Sequence, residues 1–436
     1  MRSLLLLICL SGTAGPAWAQ ESNNQPPPLP EPLTLEQALE LADAPHPTLL
    51  AAEARVDLAE ADLRGADATD NWQAHLEGRL QWVEPSKRAP PDEHDDHKIG
   101  LIVSKPLYDF GRTESRLAAA NADLRGSKLL YADTEARRRV AITAAFFDVL
   151  LADLAYTRDN EAMAVAFVNF DRQQDRLEQG KISDIDVLES EALFQEARTE
   201  RYASDVRRRS TRARLALLLN RPGMLPGTLV PPELDLDRKL VDVEELQRLA
   251  LQNNPHLEAL RAQLEAGRAR LQTARAGKRP MIRGEFEAAE YARELGSSDP
   301  LRAGVVFEMP LYSGGAVAAA IGRQQALLNR TRAELAEREM EIRQAVLELW
   351  QEAYVLGARI DRARVEIDYR DLYLDRSRAL YELDVRTDLG DSMTRFSAAR
   401  LMEAEAQFGL ALTLARLEAL LGQALPEANG AAPPAQ

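Results

Sequence analysis

Few side chains in this sequence of 436 residues have the types and spacing that chemistry needs. The densest group is His94-Asp-Asp-His97, preceded by Asp92 and Glu93. Imidazole and carboxylate ligands suit zinc or copper, but short His/Asp tracts are also ordinary in charged surface loops, and the loop is the simpler reading. A second group is acidic, with Asp184 and Asp186 in one polar turn and Asp388 and Asp391 in another. Such carboxylates either cap the helices that follow or, repeated around an axis, form a ring that favours cations and controls entry. His46 and His256 recur beside prolines and read as capping or kinking matching helices. No Gly-rich phosphate loop, Ser-His-Asp set or paired-carboxylate pocket stands out, so neither catalysis nor a cofactor is expected.

The elements that position these groups are duplicated. Lys105-Pro-Leu-Tyr-Asp-Phe-Gly111 in the first half returns as Met309-Pro-Leu-Tyr-Ser-Gly-Gly315 in the second. Each copy follows an alternating run and precedes a long helical stretch free of proline, so each is a strand-to-helix junction. Pro106 and Pro310 suit a strand's end, because proline donates no ladder hydrogen bond. Gly111, Gly314 and Gly315 relax the backbone at the corner. Two junctions in register mark a repeated unit.

In the first repeat (33–220) Thr34 N-caps a helix with Gln37 placed for a capping box. Strands are expected at about 74–83 and 98–107, then a helix from Arg112 to about Glu178 with a seam at Val140, Ala144, Phe147, Leu151 and Leu154. Gly180 turns the chain, and a returning helix ends near Asn220. A Pro/Gly-rich linker (221–240) leads to the second repeat (241–422), with strands at about 281–289 and 300–309. Its long helix runs from Val317 to about Glu382 with a seam at Ile342, Val346, Leu349, Ala353 and Leu356. The strands alternate: Leu76, Gly78, Leu80 and Trp82 share one face of the first, while His75, Glu77, Arg79 and Gln81 share the other. In the second repeat Ile282, Gly284, Phe286 and Ala288, with Leu301, Ala303, Val305 and Phe307, oppose Arg283, Glu285, Glu287, Arg302 and Glu308.

Residues 1–19 read as a secretory signal: Arg2, an apolar Leu4–Leu10 core, and Ala17-Trp18-Ala19 before the cleavage point. The only cysteine, Cys9, lies in that core, and Ile8 before it fits a lipoprotein box poorly, so no lipid anchor, disulfide or cysteine-bound metal is expected. A proline-rich leader (20–32) and a small-residue tail (423–436), expected to be disordered, flank the repeats. No stretch reads as a transmembrane helix. A net charge of -15 argues against nucleic acid.

Two deductions concern assembly. Each long helix would measure roughly 100 Å at about 1.5 Å per residue, and the two shorter helices of each half, stacked end to end, would match it. Four strands cannot close a membrane barrel, which needs about eight or more, and open edges are not tolerated in lipid. The strands must therefore be pooled; two chains would fill the lumen with side chains, and the charged inner faces favour the wetter, three-chain solution. The expected fold is mainly α with a small β part.

These residues resemble the TolC-like outer-membrane efflux protein family over about Leu33 to Gly422. The resemblance rests on the LTLEQALELA opening, the PLYDFG and PLYSGG junctions, the GKISDIDVLESEAL turn, and the helix ends RLALLLN and RLEALLG. It implies a homotrimer in the outer membrane of a Gram-negative bacterium, with a 12-stranded β-barrel joined to a periplasmic α-barrel. It also implies passive conduction, served by a periplasmic adaptor and an inner-membrane transporter, for efflux of small molecules or one-step protein secretion. Tyr381 and Arg386 match family positions that tie neighbouring hairpins at the periplasmic tip, with Asp186 as a partner for Arg386. The second tip departs from the family pattern, having Asp384 and Gly390-Asp-Ser where the first has Gly180 and Asp186-Val-Leu. The rival classes are a periplasmic coiled-coil adaptor and a structural coiled coil, neither of which requires strands at equal positions in both halves.

Overall fold

A computed structural model describes residues 29–43, 45–84, 94–292, 299–383 and 388–426. The expected signal, most of the leader and most of the tail lie outside these residues, as do Asp92, Glu93 and Arg386.

The first repeat runs α1 (Leu35–Glu40), α2 (Pro47–Ala68), β1 (Gln73–Arg79), β2 (Lys98–Tyr108), α3 (Arg112–Glu178) and α4 (Asp184–Leu218). The second runs α5 (Val243–Asn253), α6 (Pro255–Ala276), β3 (Met281–Tyr291), β4 (Leu301–Glu308), α7 (Ala316–Glu382) and α8 (Leu389–Leu421). The four strands form one antiparallel sheet in the order β1-β2-β3-β4, so the repeats meet at β2 and β3. Past Arg79 the first hairpin resumes at a Trp82–Asp95 bridge.

α3 and α7 each have 67 residues, roughly 100 Å at about 1.5 Å per residue. The shorter helices stack end to end beside them. Asn220 donates to the Pro45 carbonyl (2.8 Å), joining the end of α4 to the start of α2. Asn254 donates to the Leu420 carbonyl (2.9 Å), joining α8 to α6. Both lower helices begin with proline at the first position, where its missing N–H costs nothing. His46 caps α2, its Nδ1 accepting from the Thr48 N–H (3.2 Å), and Asn254 does the same work for α6, accepting from Leu257 (3.0 Å). His256 is therefore not the counterpart of His46; it faces Asp133 at 3.4 Å.

The helices form a layer in which α3 packs between α2/α4 and α6/α8, and α6/α8 lie between α3 and α7. Two apolar cores sit at mid-height. One gathers α1, Ile142, Phe146, Val149, Leu215 and Leu219; the other gathers α5, Ile342, Val346, Leu417 and Leu421. Thr34 and Gln37 close the capping box on α1, each backbone N–H reaching the other's side chain (3.1 and 3.2 Å).

The interrepeat segment is more than a linker. Leu229 pairs with Leu33 as a short bridge, and Leu234, Leu236 and Leu240 pack on the cores. Arg212 clamps it, pairing with both oxygens of Asp153 (2.8 Å each) and donating to the Pro226 and Gly227 carbonyls.

The expected seam on α7 is buried at Ile342, Val346, Ala353 and Leu356. On α3 the deepest stripe is instead Ile142, Ala145, Phe146 and Val149, because α3 has neighbours on several sides and one two-helix seam does not describe its burial. One window of α3 is apolar enough to cross a membrane by length and composition, and 39% of it is buried among the described residues.

Candidate functional site

Two ends of the molecule carry the residues of interest: the sheet with its junctions, and the turns at the far end of the long helices.

Register fixes the faces of the sheet. His75, Ile102, Glu287 and Arg302 lie in one row, with Glu77, Lys98, Glu285 and Glu308 on the same face. Lys98 pairs with both Glu77 (3.7 Å) and Glu287, each from a flanking strand. The opposite face carries Leu76, Leu101, Ala288 and Leu301 in one row, and Val103, Phe286 and Ala303 in the next. Leu76, Leu301, Val305 and Phe307 are exposed there. Aromatics bracket this apolar band, with Trp72 stacked under Lys105 at the helical end and Trp82 against His94 at the other. From Trp72 to Trp82 is about ten residues, which at about 3.3 Å each and a tilt of about 40° stand about 25 Å tall. That is the height of a lipid-facing barrel band.

At the first junction Pro106 still pairs with Arg283 in β2, and a register shift before Tyr108 absorbs the missing N–H. Two consecutive left-handed residues then turn strand into helix: Phe110 (φ 53°) and Gly111 (φ 85°). Gly314 (φ 58°) and Gly315 (φ 85°) repeat this after Pro310. Asp109 caps α3, accepting from the Gly111, Arg112 and Thr113 amides (3.2, 3.1 and 2.6 Å). Burial pushes its carboxyl up, but these hydrogen bonds prevail and hold it below the usual carboxylate range. The aspartate inside PLYDFG was legible as a cap from its position before a helix, though sequence reasoning did not single it out.

At the other end Gly180 (φ 67°) closes α3. Its N–H reaches the Leu177 carbonyl (2.7 Å) and the Lys181 N–H reaches Arg176 (2.9 Å), a Schellman turn that a left-handed residue makes possible. Asp186 accepts from the Ser183 N–H (2.9 Å) and hydroxyl (2.8 Å). Those bonds, the backbone one first, hold its carboxyl below the ordinary range. Asp184 is exposed beside it.

On the second hairpin Asp388 accepts from the Tyr373 hydroxyl (3.1 Å) and Asp391 pairs with Arg395 (2.9 Å). Tyr381 is half exposed on the last turn of α7. The structure therefore gives Asp186, Asp388 and Asp391 local partners, and the Asp186–Arg386 pairing lies outside the described residues.

The tip also depends on Gly390, where a Cβ would stand 2.7 Å from Val165 Cγ2 on α3, and on Ser397 donating to Glu161 (2.6 Å). Only the glycine itself, early in a helix, could have signalled the close approach.

His94 and His97 lie beside the first hairpin. His97 Nδ1 accepts from the Gln81 N–H (3.3 Å), and His94 stacks on Trp82 with ring centroids 5.4 Å apart. Among the described residues no group of three or more His, Cys, Asp or Glu side chains is arranged to hold a metal.

Known proteins share this architecture. The profile of the family described as outer membrane efflux protein matches residues 38–221 and 246–423. Protein CyaE of Bordetella pertussis is 25% identical over 328 residues, covering 70% of this chain and 68% of its own. The outer membrane protein VceC of Vibrio cholerae superposes with a TM-score of 0.71 at 18% identity, over 89% of this chain and 96% of its own. The outer membrane channel CmeC of Campylobacter jejuni gives 0.73 at 13% identity, over 91% and 87%. Both repeats, with their strands and stacked helices, fall within the matched regions, and the chain belongs to the outer membrane efflux protein family.

Proposed function

We propose that three copies of this chain pool their sheets into a 12-stranded barrel and their helical layers into a hollow periplasmic cylinder, a passive duct through the outer membrane. One observation carries the trimer: a four-stranded sheet with a lipid-height apolar face, a charged opposite face and unpaired edges at β1 and β4. Such edges are not tolerated in lipid, so neighbouring copies must pair them. The exposed junction after β4 supports the same reading, Leu311 and Tyr312 being 90% exposed in a single chain.

The duct takes its substrate and its energy from a periplasmic adaptor and an inner-membrane transporter that meet the helix turns. Small molecules and secreted protein are both compatible cargoes. Asp184, Asp186, Asp388 and Asp391, repeated around the axis, form the acidic tip that attracts cations and limits entry. Tyr381 and the Arg386–Asp186 pair tie adjacent hairpins, and Gly180 shapes the turn. The bond from the Ser183 N–H supports a capping role for Asp186 alongside the electrostatic one, whereas Asp391 pairs along its own helix with Arg395. The signal peptide at 1–19 directs export.

Unboiled outer-membrane fractions should show a trimer band that collapses on heating, and the purified protein should conduct in planar bilayers. A water-soluble monomer with no bilayer current would end this reading. Replacing Asp186 or Arg386 should raise ion leakage and antibiotic entry, and unchanged permeability would remove the tie.

A further inference from the structure

The cores with α1 and α5 leave other faces of the long helices free of them. On α3, Ile142 and Phe146 bury in the core with α1. Arg137 is about two and a half turns from Phe146, at about 3.6 residues per turn, and so faces the opposite way. There Arg137, Arg338 of α7 and Arg416 of α8 line a cavity of about 300 Å³ with Asp133 and Asn254. It lies where α8 abuts α6.

The partners in this notch do not use up its donors. Asn254 is spent on the Leu257 N–H and the Leu420 carbonyl. Asp133 pairs with Arg137 (2.7 Å) and lies near His256 (3.4 Å). Arg338 gives one nitrogen to Glu341 (2.8 Å), but its Nε is buried without a hydrogen-bond partner. Arg416 makes no hydrogen bond or ion pair among the described residues. Three guanidinium groups thus meet two carboxylates, in a chain whose net charge is -15. A surplus cation with unspent planar donors beside a cavity is the chemistry that recognises an oxyanion.

We propose that this notch binds an oxyanion of the phosphate class, either free or carried on a solute in transit. The notch is a property of one chain. Its consequence for conduction, a ring of such notches at mid-height of the assembly, rests on the trimeric duct proposed above.

Calorimetric titration of the detergent-solubilised full chain with inorganic phosphate should show saturable binding, and phenyl phosphate in a parallel arm separates a solute-borne group from the free ion. Arg416→Gln should weaken binding at least tenfold, and the R338Q/R416Q pair should abolish it. Arg416 is exposed, so the single variant keeps the helices intact and circular dichroism checks that it does. In planar bilayers phosphate should reduce the current of the parent and not of the pair. Absence of saturable binding to the parent, or equal affinity in R416Q, overturns the notch. Binding without any bilayer current instead refutes the duct and leaves the notch standing.

Discussion

Gly390→Ala tests how tightly the second hairpin is held at the tip. A Cβ there would stand 2.7 Å from Val165 Cγ2 and 3.3 Å from Cγ1. Carbon atoms settle at about 3.5–4.0 Å, so the overlap is about 1 Å. Rotating Val165 does not relieve it, because both methyls already face the glycine and a β-branched residue in a helix holds essentially one rotamer. α8 must therefore move away from α3, or the helices must carry the strain. Overpacking of this kind costs about 1–3 kcal/mol, and alanine's helix propensity returns at most about 1 kcal/mol. A net cost of about 1–2 kcal/mol changes the ratio of packed to splayed tip by a factor of about 5–30.

Single-channel recordings and entry of a bulky antibiotic both read that ratio. G390A should raise open probability and leakage, and G390A/V165A should return both toward the parent, since the second change removes the methyls that the first one strikes. Gly357→Ala on α7, where nothing lies within 4 Å, serves as the control; it should leave conduction unchanged. If G390A leaks no more than G357A, or if V165A fails to rescue it, the α3–α8 contact does not hold the tip closed.

Three further outcomes are expected. His46 is held below its ordinary pKa by burial first and by the charge of Arg138 second, against an opposing bond to Leu217, so the stability it contributes is complete above about pH 6.5 and is lost as pH falls below that value; His46→Asn, which copies Asn254, should flatten thermal melts across that window. Lys98→Met leaves Glu77 and Glu287 without their shared cation, and reversal potentials in salt gradients should shift toward cation selectivity. Phe146, fully buried at 0% exposure, should cost about 3–5 kcal/mol on truncation to alanine, read as a lower unfolding midpoint of the helical signal with no change in single-channel conductance.

Much of the fold was legible because local chemistry repeats. The α1 capping box, the bounds of both 67-residue helices and the facing of β1, β3 and β4 follow from capping residues, from the absence of proline and from period-two alternation. Sequence did not reveal contacts between distant segments. α1 ends at Glu40 and α2 begins only at Pro47, so α1 is a separate short element. Arg138, buried and donating to the Ala42 and Leu218 carbonyls (2.9 and 2.7 Å), looks in sequence like any surface arginine of a helix. The α3 seam was displaced for the same reason: periodicity shows that a stripe is apolar, not how many neighbours compete for it. The acidic tip residues were found by type and position, yet their local partners come from the turn geometry, which composition does not encode.

The two junctions share a bend but not its fastenings, and the difference bears on assembly. At the first, Asp109 caps α3, Arg112 donates to the Ala276 carbonyl (3.1 Å) and Arg279 to the Phe110 carbonyl (2.6 Å), tying β2–α3 to the α6–β3 corner of the same chain. The second has Ser313, Gly314, Gly315 and Ala316 at the corresponding places, with neither an acidic cap nor a guanidinium. In the proposed trimer its neighbour is the α2–β1 corner of another copy, where Asn71 stands in the place of Arg279. No matching set of charged ties can form there. What that junction offers instead is apolar area, since Leu311 and Tyr312 are each 90% exposed against 54% and 57% for Leu107 and Tyr108. A desolvated guanidinium left unpaired before assembly would be costly, whereas exposed apolar groups lose nothing by waiting and gain on burial. Within the chain, where the partner is always present, directional polar ties are affordable; between chains, where it must first arrive, the repeat has kept the bend and relies on apolar contact.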